Sequence, residues 1–229
     1  MKAEEVSWIH SLWETQRPLF GRILDLNTTL GDMDPGRVER FFPLPLVRWV
    51  SENGAKSFSF LGTLRKRIGV EKIPFGRFQM PIHRLLLLAG EEIVRLSKYV
   101  GAAFYGEEIV KTVYRPVRQQ LRQVLGREIY GFATGRSPLY RPFLEGIEIP
   151  PRYRPDGLPE KVCSGGKYAI ECCLSSAPGD VTERFLMKFP ETDRWTFSHA
   201  VDFETKTRIY GVLKRLINKE MNHPVGVCL

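Results

Sequence analysis

The sequence predicts a mainly α-helical protein, folded as a single compact multi-helix domain over residues 1–229 with proline- and glycine-rich crossovers. Two stripes of apolar residues between 80 and 134 repeat every three or four positions, which matches the helical period of about 3.6 residues. Single glycines interrupt these stripes, as is typical of helix ends. Because 43% of the residues are hydrophobic, the chain has enough apolar surface for a substantial core.

The N-terminal part of the chain begins with a predicted helix over 5–26. Its apolar residues recur at near-helical steps, and Pro18 is expected to bend or split it, because proline lacks the backbone N–H of a helix interior. Asp34 directly precedes Pro35, a pair suited to the cap and first position of a short helix. Another short helix is predicted at 47–51.

A train of short amphipathic helices follows the polar, glycine-spaced connector 52–79. The first apolar stripe comprises Ile82, Leu85, Leu86, Ala89, Ile93, Leu96, Val100 and Ala103. The second comprises Ile109, Val113, Val117, Leu121, Val124 and Leu125. Gly101, Gly106 and Gly126 are each predicted to separate one helix from the next, because glycine tolerates the left-handed conformation of a C-cap.

The C-terminal part combines an irregular crossover with further helices. Proline and glycine dominate residues 135–160, which predicts the crossover. A helix is predicted over 166–177, where a Pro-Gly pair ends it. Residues 181–189 fit either a helix or a strand, so the fold includes at most a short β element near 184–189. Apolar residues at helical spacing predict a last helix over 206–221.

The chain is strongly basic, with a formal net charge of +8 and a pI of about 9.4. Nine lysines and arginines between 111 and 154 stand against three glutamates. Such a focused positive field favours an acidic partner, which is nucleic acid, anionic lipid or an acidic protein.

The expected location is the cytoplasm, without membrane insertion. No apolar run approaches the roughly 18 residues that span a bilayer, and the N-terminus lacks the apolar core of a signal peptide. The four cysteines form no C-x-x-C pair, which favours free or buried thiols in a reducing compartment. They are Cys163, Cys172, Cys173 and Cys228.

No motif of enzymatic chemistry is found in the sequence. The histidines occur singly, without the second ligand at i+3 or i+4 that a zinc site usually shows, at His10, His83, His199 and His223. We therefore predict no catalytic residues, no metal site, no cofactor and no small-molecule substrate. An enzyme with an unfamiliar site stays an alternative that would require several titratable groups to converge in a pocket.

The strongest candidate contact site is a basic stripe of Arg115, Arg118 and Arg122, with Tyr114 beside it. The arginines repeat at i, i+3 and i+7, so they share one face of a helix, next to its apolar face. Two interpretations are open: a solvated rim, or a docking face for an acidic protein whose carboxylates the arginine forks bind in bidentate fashion. Nucleic acid is the alternative partner, although no aromatic residues alternate with the arginines as in a stacking platform.

Four stretches resemble the SctK/YscK family of bacterial type III secretion systems. They are P-x-x-R-L-L-L-L-x-G at 81–90, G-E-x-I at 106–109, L-R-x-x-L-G-x-E-x-Y-x-F-A at 121–133 and R-F-L-M-K-F-P at 184–190. The last is similar to the family's R-L-x-L-K-L-P stretch. Their order and spacing agree with the family over roughly 80–220, while 1–79 forms an N-terminal part with a weaker match.

The resemblance implies a non-enzymatic, mostly helical adaptor of the secretion sorting platform. Such proteins bridge the cytoplasmic domain of the inner-membrane ring protein SctD to the pod protein SctQ. The pods connect through the stator SctL to the export ATPase SctN. The implied location is therefore the cytoplasmic face of the inner membrane, and the family has no catalytic residues to transfer to this chain.

Overall fold

Residues 3–28, 32–43, 45–46, 49, 66, 69 and 72–223 are described by the structure, which is a computed structural model. The helix predicted at 47–51, apart from Trp49, and most of the connector 52–79 lie outside the described residues. All regular secondary structure within the described ranges is helical, so the prediction of a mainly α fold is confirmed.

The helices follow one another through most of the chain. The α-helices are α1 (Ala3–Thr15), α2 (Arg17–Thr28), α3 (Pro35–Glu39), α4 (Gly90–Phe104), α5 (Gly106–Lys111), α6 (Arg115–Gly135), α7 (Arg141–Leu144), α8 (Leu158–Leu174), α9 (Gly179–Leu186) and α10 (Phe203–Lys219). Short 3₁₀ helices lie at Phe75–Gln79, Pro81–Leu87, Ser137–Leu139 and Pro151–Tyr153.

The helices pack into two compact units. Among the described residues, the first unit contains those up to Gly90 together with Ala177–Trp195. The second contains Glu91–Ser176 and the described residues from Thr196 onward. The single domain over 1–229 stays a prediction.

Proline and aspartate set the helix boundaries in the first unit. The predicted N-terminal helix is split at Gln16, because Pro18 occupies the first turn of α2 and cannot continue α1. The carboxylate of Asp34 accepts a hydrogen bond from the Arg37 N–H at 3.1 Å, and Pro35 begins α3. Both predictions are thus confirmed.

Residues 179–186 form helix α9, so the strand alternative is wrong there. Val181 and Phe185 are buried on one face of this helix, at the i, i+4 spacing of a helical turn. Phe185 also packs edge-on against Trp195 at 5.0 Å between ring centres, and Phe189 lies 4.7 Å from the same ring. Aromatic packing therefore favours the helical period over the alternating one.

Two glycines predicted to end helices behave differently in the second unit. Gly126 has a left-handed φ of 75° and interrupts α6, as predicted. Gly101, in contrast, lies inside α4, which continues to Phe104, so the predicted helix end is wrong. A methyl group at Gly101 would come within 2.7 Å of the carbonyl carbon of Val162 in α8. Gly101 is therefore required by helix packing and not by a turn.

Helices α8 and α10 begin earlier than predicted. Helix α8 begins at Leu158, not at 166, because Pro159 is tolerated in a first helical turn. Helix α10 begins at Phe203, where the Asp202 carboxylate accepts a hydrogen bond from the Thr205 N–H at 2.8 Å. This cap also lowers the pKa of the Asp202 carboxyl, mainly through the hydrogen bond from the Thr205 backbone.

Candidate docking surface

The basic stripe predicted from the sequence lies at the start of α6. Tyr114 occupies the cap position and is 66% exposed. Arg115, Arg118 and Arg122 are exposed and follow on one side of the helix. The guanidinium of Arg122 stacks over the ring of Tyr130 at 5.0 Å. These four residues, Tyr114, Arg115, Arg118 and Arg122, are called the basic face below.

The start of α6 has an unfavourable electrostatic arrangement. The first N–H groups of a helix lack internal acceptors and give its N-terminus about half a positive charge. The side chain of Tyr114 makes no capping hydrogen bond, and the first turn contains no acidic residue. Arg115 and Arg118 add positive charge there, and neither side chain has an ion-pair partner within the described part of the chain. A carboxylate supplied by a partner would stabilise this helix end.

An exposed apolar edge adjoins the basic face. Val113 was predicted to pack in the second apolar stripe, but it lies in the non-helical link between α5 and α6 and is 88% exposed. Val110, in the last turn of α5, is 56% exposed. The prediction for Val113 is wrong because the helical period is interrupted at 112–114, so the stripe does not continue across the link. The result is an exposed apolar surface beside Arg115 and Arg118, which form no ion pair within the described ranges.

A charged cluster buried in the first unit uses residues of the R-F-L-M-K-F-P stretch. Arg184 donates to the Asp32 carboxylate at 2.5 Å and to the Leu26 carbonyl at 2.8 Å. Lys188 donates to the other Asp32 oxygen at 2.7 Å. Burial lowers the pKa of Arg184, and the charge of Asp32 opposes that effect. These contacts tie α9 to the turn after α2.

A second buried cluster is centred on Glu171 of α8, which is 1% exposed. Its carboxylate accepts hydrogen bonds from the Tyr153 hydroxyl, from the Thr196 N–H at 2.8 Å and from His199 Nε2 at 3.0 Å. Arg152 approaches His199 Nδ1 at 2.6 Å. Burial, followed by the hydrogen bond to Glu171, raises the pKa of Tyr153.

The geometry assigns the tautomer of His199. A guanidinium only donates hydrogen bonds, so Nδ1 facing Arg152 is the acceptor and the ring proton lies on Nε2. That proton is donated to Glu171, whose carboxylate then uses three of its roughly four acceptor positions within the protein. We interpret the cluster as a clamp that holds segment 196–199 against α8, because its carboxylate has little capacity left for a substrate.

Sequence reasoning missed this cluster, although one signal was present. Glu171 is the only charged residue between Ala169 and Leu174, and an acidic residue within an apolar helix requires a buried partner. His199 lies 28 positions further along the chain, so its role as that partner follows only from the fold.

Glu171→Gln is expected to lower the free energy of unfolding by about 2–3 kcal/mol, because an amide nitrogen would face donors that now share a carboxylate. Chemical denaturation followed by circular dichroism measures this loss. Glu148→Gln is the matched control, since Glu148 is exposed in the same unit, and a change within about 0.5 kcal/mol is expected there. Equal stability of both variants would contradict the clamp.

Three cysteines are free thiols, as predicted, while Cys228 lies outside the described residues. Burial raises the pKa of Cys172 to about 11 and that of Cys173 well above its ordinary value. Both thiols therefore stay protonated at neutral pH and are poor nucleophiles.

Neither a metal-binding cluster nor a membrane-spanning helix occurs within the described ranges. No group of three or more His, Cys, Asp or Glu side chains there is arranged to hold a metal ion. None of the described helices combines the length and the apolar character needed to cross a bilayer.

Comparisons with known proteins return no match among protein-family models, curated proteins or solved structures.

Proposed function

We propose that this protein is a non-enzymatic adaptor that binds an acidic protein partner through the basic face. The observation that supports this most directly is the pair Arg115 and Arg118, exposed and without ion-pair partners within the described part of the chain, at a helix end that no acidic residue caps. Bidentate binding of carboxylates by these guanidinium groups would offset the like charge at the helix N-terminus.

The surroundings of the basic face favour a protein over a nucleic acid. Val113 and Tyr114 expose apolar surface directly before the arginines, and protein interfaces combine such an apolar centre with charged residues around it. Arg122 already stacks on Tyr130, so that ring is less open to a nucleic-acid base.

The resemblance to the SctK/YscK family gives this proposal a specific form. The protein would act in a type III secretion sorting platform and bridge the cytoplasmic domain of SctD to SctQ, and through SctL to SctN. Its position would be the cytoplasmic face of the inner membrane. The mainly helical fold is compatible with that role.

Reversal of the charge at Arg115, Arg118 and Arg122 to Glu is expected to weaken binding of the SctD cytoplasmic domain or of SctQ by about tenfold or more, because attractive pairs become repulsive. Co-purification and a titration with each partner measure the loss, and circular dichroism checks that helicity is unchanged. Unaltered binding of both partners would remove the basic face from the proposal.

A matched control carries the same change in net charge elsewhere. Lys214, Lys219 and Arg194 are exposed, and their reversal to Glu is expected to leave partner binding within about twofold. If both triple variants lose binding equally, net charge and not the basic face is responsible. If wild-type protein instead binds nucleic acid tightly with a steep loss on added salt, the nucleic-acid alternative is favoured.

A further inference from the structure

An open groove of about 440 Å³ lies in the second unit and follows the length of α5. It is lined by the end of α4, by α5 itself and by Ser137, Pro138 and Arg141, which come after α6 in the chain. None of the four residues of the basic face lines it. It is called the α5 groove below.

The apolar lining of the α5 groove is accessible to solvent. Val110 is 56% exposed, Pro138 is exposed and Phe104 is half-buried. A concave apolar surface of this kind suits a single bulky side chain, such as the aromatic anchors that dominate protein interfaces. An aromatic ring fits this lining well, because contact with the ring of Phe104 adds to the burial of apolar area.

Two contacts hold the sides of the groove in place. The start of α5 lies directly against Ser137: a methyl group at Gly106 would come within 2.8 Å of the Ser137 Cβ. Glu107 of α5 pairs with Arg141 of α7 at 2.5 Å, and its other carboxylate oxygen pairs with Lys111 at 2.5 Å. A groove that is formed before binding requires less ordering when a partner arrives, which favours binding there.

The charges around the α5 groove are positive in sum. Lys111 and Arg141 share the single carboxylate of Glu107, which leaves one positive charge in excess. The other carboxylate of the lining, Glu108, has Lys161 as its partner at 3.7 Å. The groove therefore favours a segment that carries carboxylates around its apolar side chain.

The basic face begins close to the groove. Lys111 lines the groove and Arg115 lies four positions later, so their Cα atoms are at most about 14 Å apart. Four extended residues of a partner cover the same distance. Arg115 and Arg118 form no ion pair within the described ranges, so the carboxylates of such a segment would be their partners.

We propose that the α5 groove takes one aromatic side chain from the same acidic partner segment whose carboxylates bind the basic face. This assignment rests on the docking function proposed above and specifies its partner: an acidic segment with an aromatic anchor about four residues from its carboxylates. A protein is favoured over an anionic membrane, because the apolar seat is concave and membranes are entered by side chains that protrude.

The probe is a capped peptide with Trp at its centre and four Glu on each side, since four residues cover the distance from the groove to Arg115. Titration of the full chain, followed by NMR chemical shifts, is expected to move the signals of Phe104 and Val110 together with those of Arg115 and Arg118. The same peptide with Ala at its centre is expected to bind about tenfold more weakly and to move only the signals of the basic face.

Substitutions on both sides of the groove complete the test. Val110→Asn and Pro138→Ser are each expected to weaken the Trp peptide about fivefold and to leave the Kd of the Ala peptide unchanged, because they remove apolar contact without changing the net charge. Val94→Asn, at a valine of α4 that is 37% exposed and lies outside the groove lining, is the matched control and is expected to leave both Kd values unchanged. Circular dichroism checks that helicity is kept.

The outcomes distinguish the groove from the docking function. Equal binding of the two peptides, with shifts confined to the basic face, overturns the groove assignment and leaves the docking function in place. Absence of shifts at Arg115 and Arg118 with either peptide contradicts the docking function and the groove assignment with it. Unchanged affinity of the Trp peptide in both groove variants also overturns the assignment.

Vesicles of phosphatidylglycerol test the membrane as an alternative occupant. No binding of these vesicles that depends on Val110 is expected. Co-sedimentation of wild-type protein with the vesicles that is lost in Val110→Asn, together with equal binding of the two peptides, would identify a membrane surface and overturn the assignment.

Discussion

Asp32→Asn is expected to lower the free energy of unfolding by about 3–5 kcal/mol, because it removes the charge that two buried cations share. The side chains of Arg184 and Lys188 are 2% and 1% exposed, and both donate to this carboxylate. In the variant, the side-chain amide nitrogen at position 32 would face one of the two cations. Water cannot replace the lost charge, because the side chains of both cations are buried.

Chemical denaturation measures the effect, and two further variants sharpen it. Asp193→Asn alters an exposed aspartate of the same unit and is expected to change stability by no more than about 0.5 kcal/mol. The double variant Asp32→Asn with Lys188→Met is expected to lose less unfolding free energy than the two single variants lose together. The reason is that it leaves only one cation without a countercharge. A loss below about 1 kcal/mol for Asp32→Asn would contradict the cluster.

Gly166→Ala is expected to destabilise the fold by about 3 kcal/mol or more. The added methyl group would overlap the carbonyl oxygen of Ser97 in α4 and lie 2.6 Å from its carbonyl carbon. Overpacking usually costs about 1–3 kcal/mol because side chains adjust, whereas here the obstacle is the backbone of a helix. The helices α4 and α8 would have to separate, which would open the apolar packing between them.

Helical glycines with open space where a methyl group would lie provide the control for this prediction. A methyl group at Gly131 in α6 or at Gly211 in α10 meets no atom within 4 Å. Alanine there is expected to raise stability by about 0.5–1 kcal/mol, because glycine is a poor helix former. Substitution by alanine is thus expected to lower the free energy of unfolding at Gly166 and to raise it at Gly131. A Gly166→Ala variant as stable as wild type would contradict the close approach of α4 and α8.

Much of the candidate site could be predicted from the chain alone. Spacing at i, i+3 and i+7 places Arg115, Arg118 and Arg122 on one side of any helix that contains them. That they form no ion pair with any described residue could not be predicted, because a carboxylate selects its partner in three dimensions. Glu128 shows this: it binds Arg95, 33 positions earlier, at 2.7 Å.

The sequence by itself determined the helical class and those boundaries that depend on neighbours in the chain. Pro18 splits the first helix, Asp34 caps α3, and Gly126 interrupts α6 with its left-handed backbone. Each effect acts within a few residues, through a missing N–H, a short polar side chain or an absent Cβ. These boundaries can therefore be found without any knowledge of the packing.

Only the tertiary structure decided which distant groups meet. Arg184 lies 152 positions from Asp32, and His199 lies 28 positions from Glu171, yet each pair shares a part-buried hydrogen bond. The sequence predicts a helix end at Gly101, and only the crossing of α4 and α8 shows why a side chain is excluded there. These contacts depend on how whole helices pack against each other. Sequence periodicity shows which face of a helix is apolar, but not which residue of another helix lies against that face.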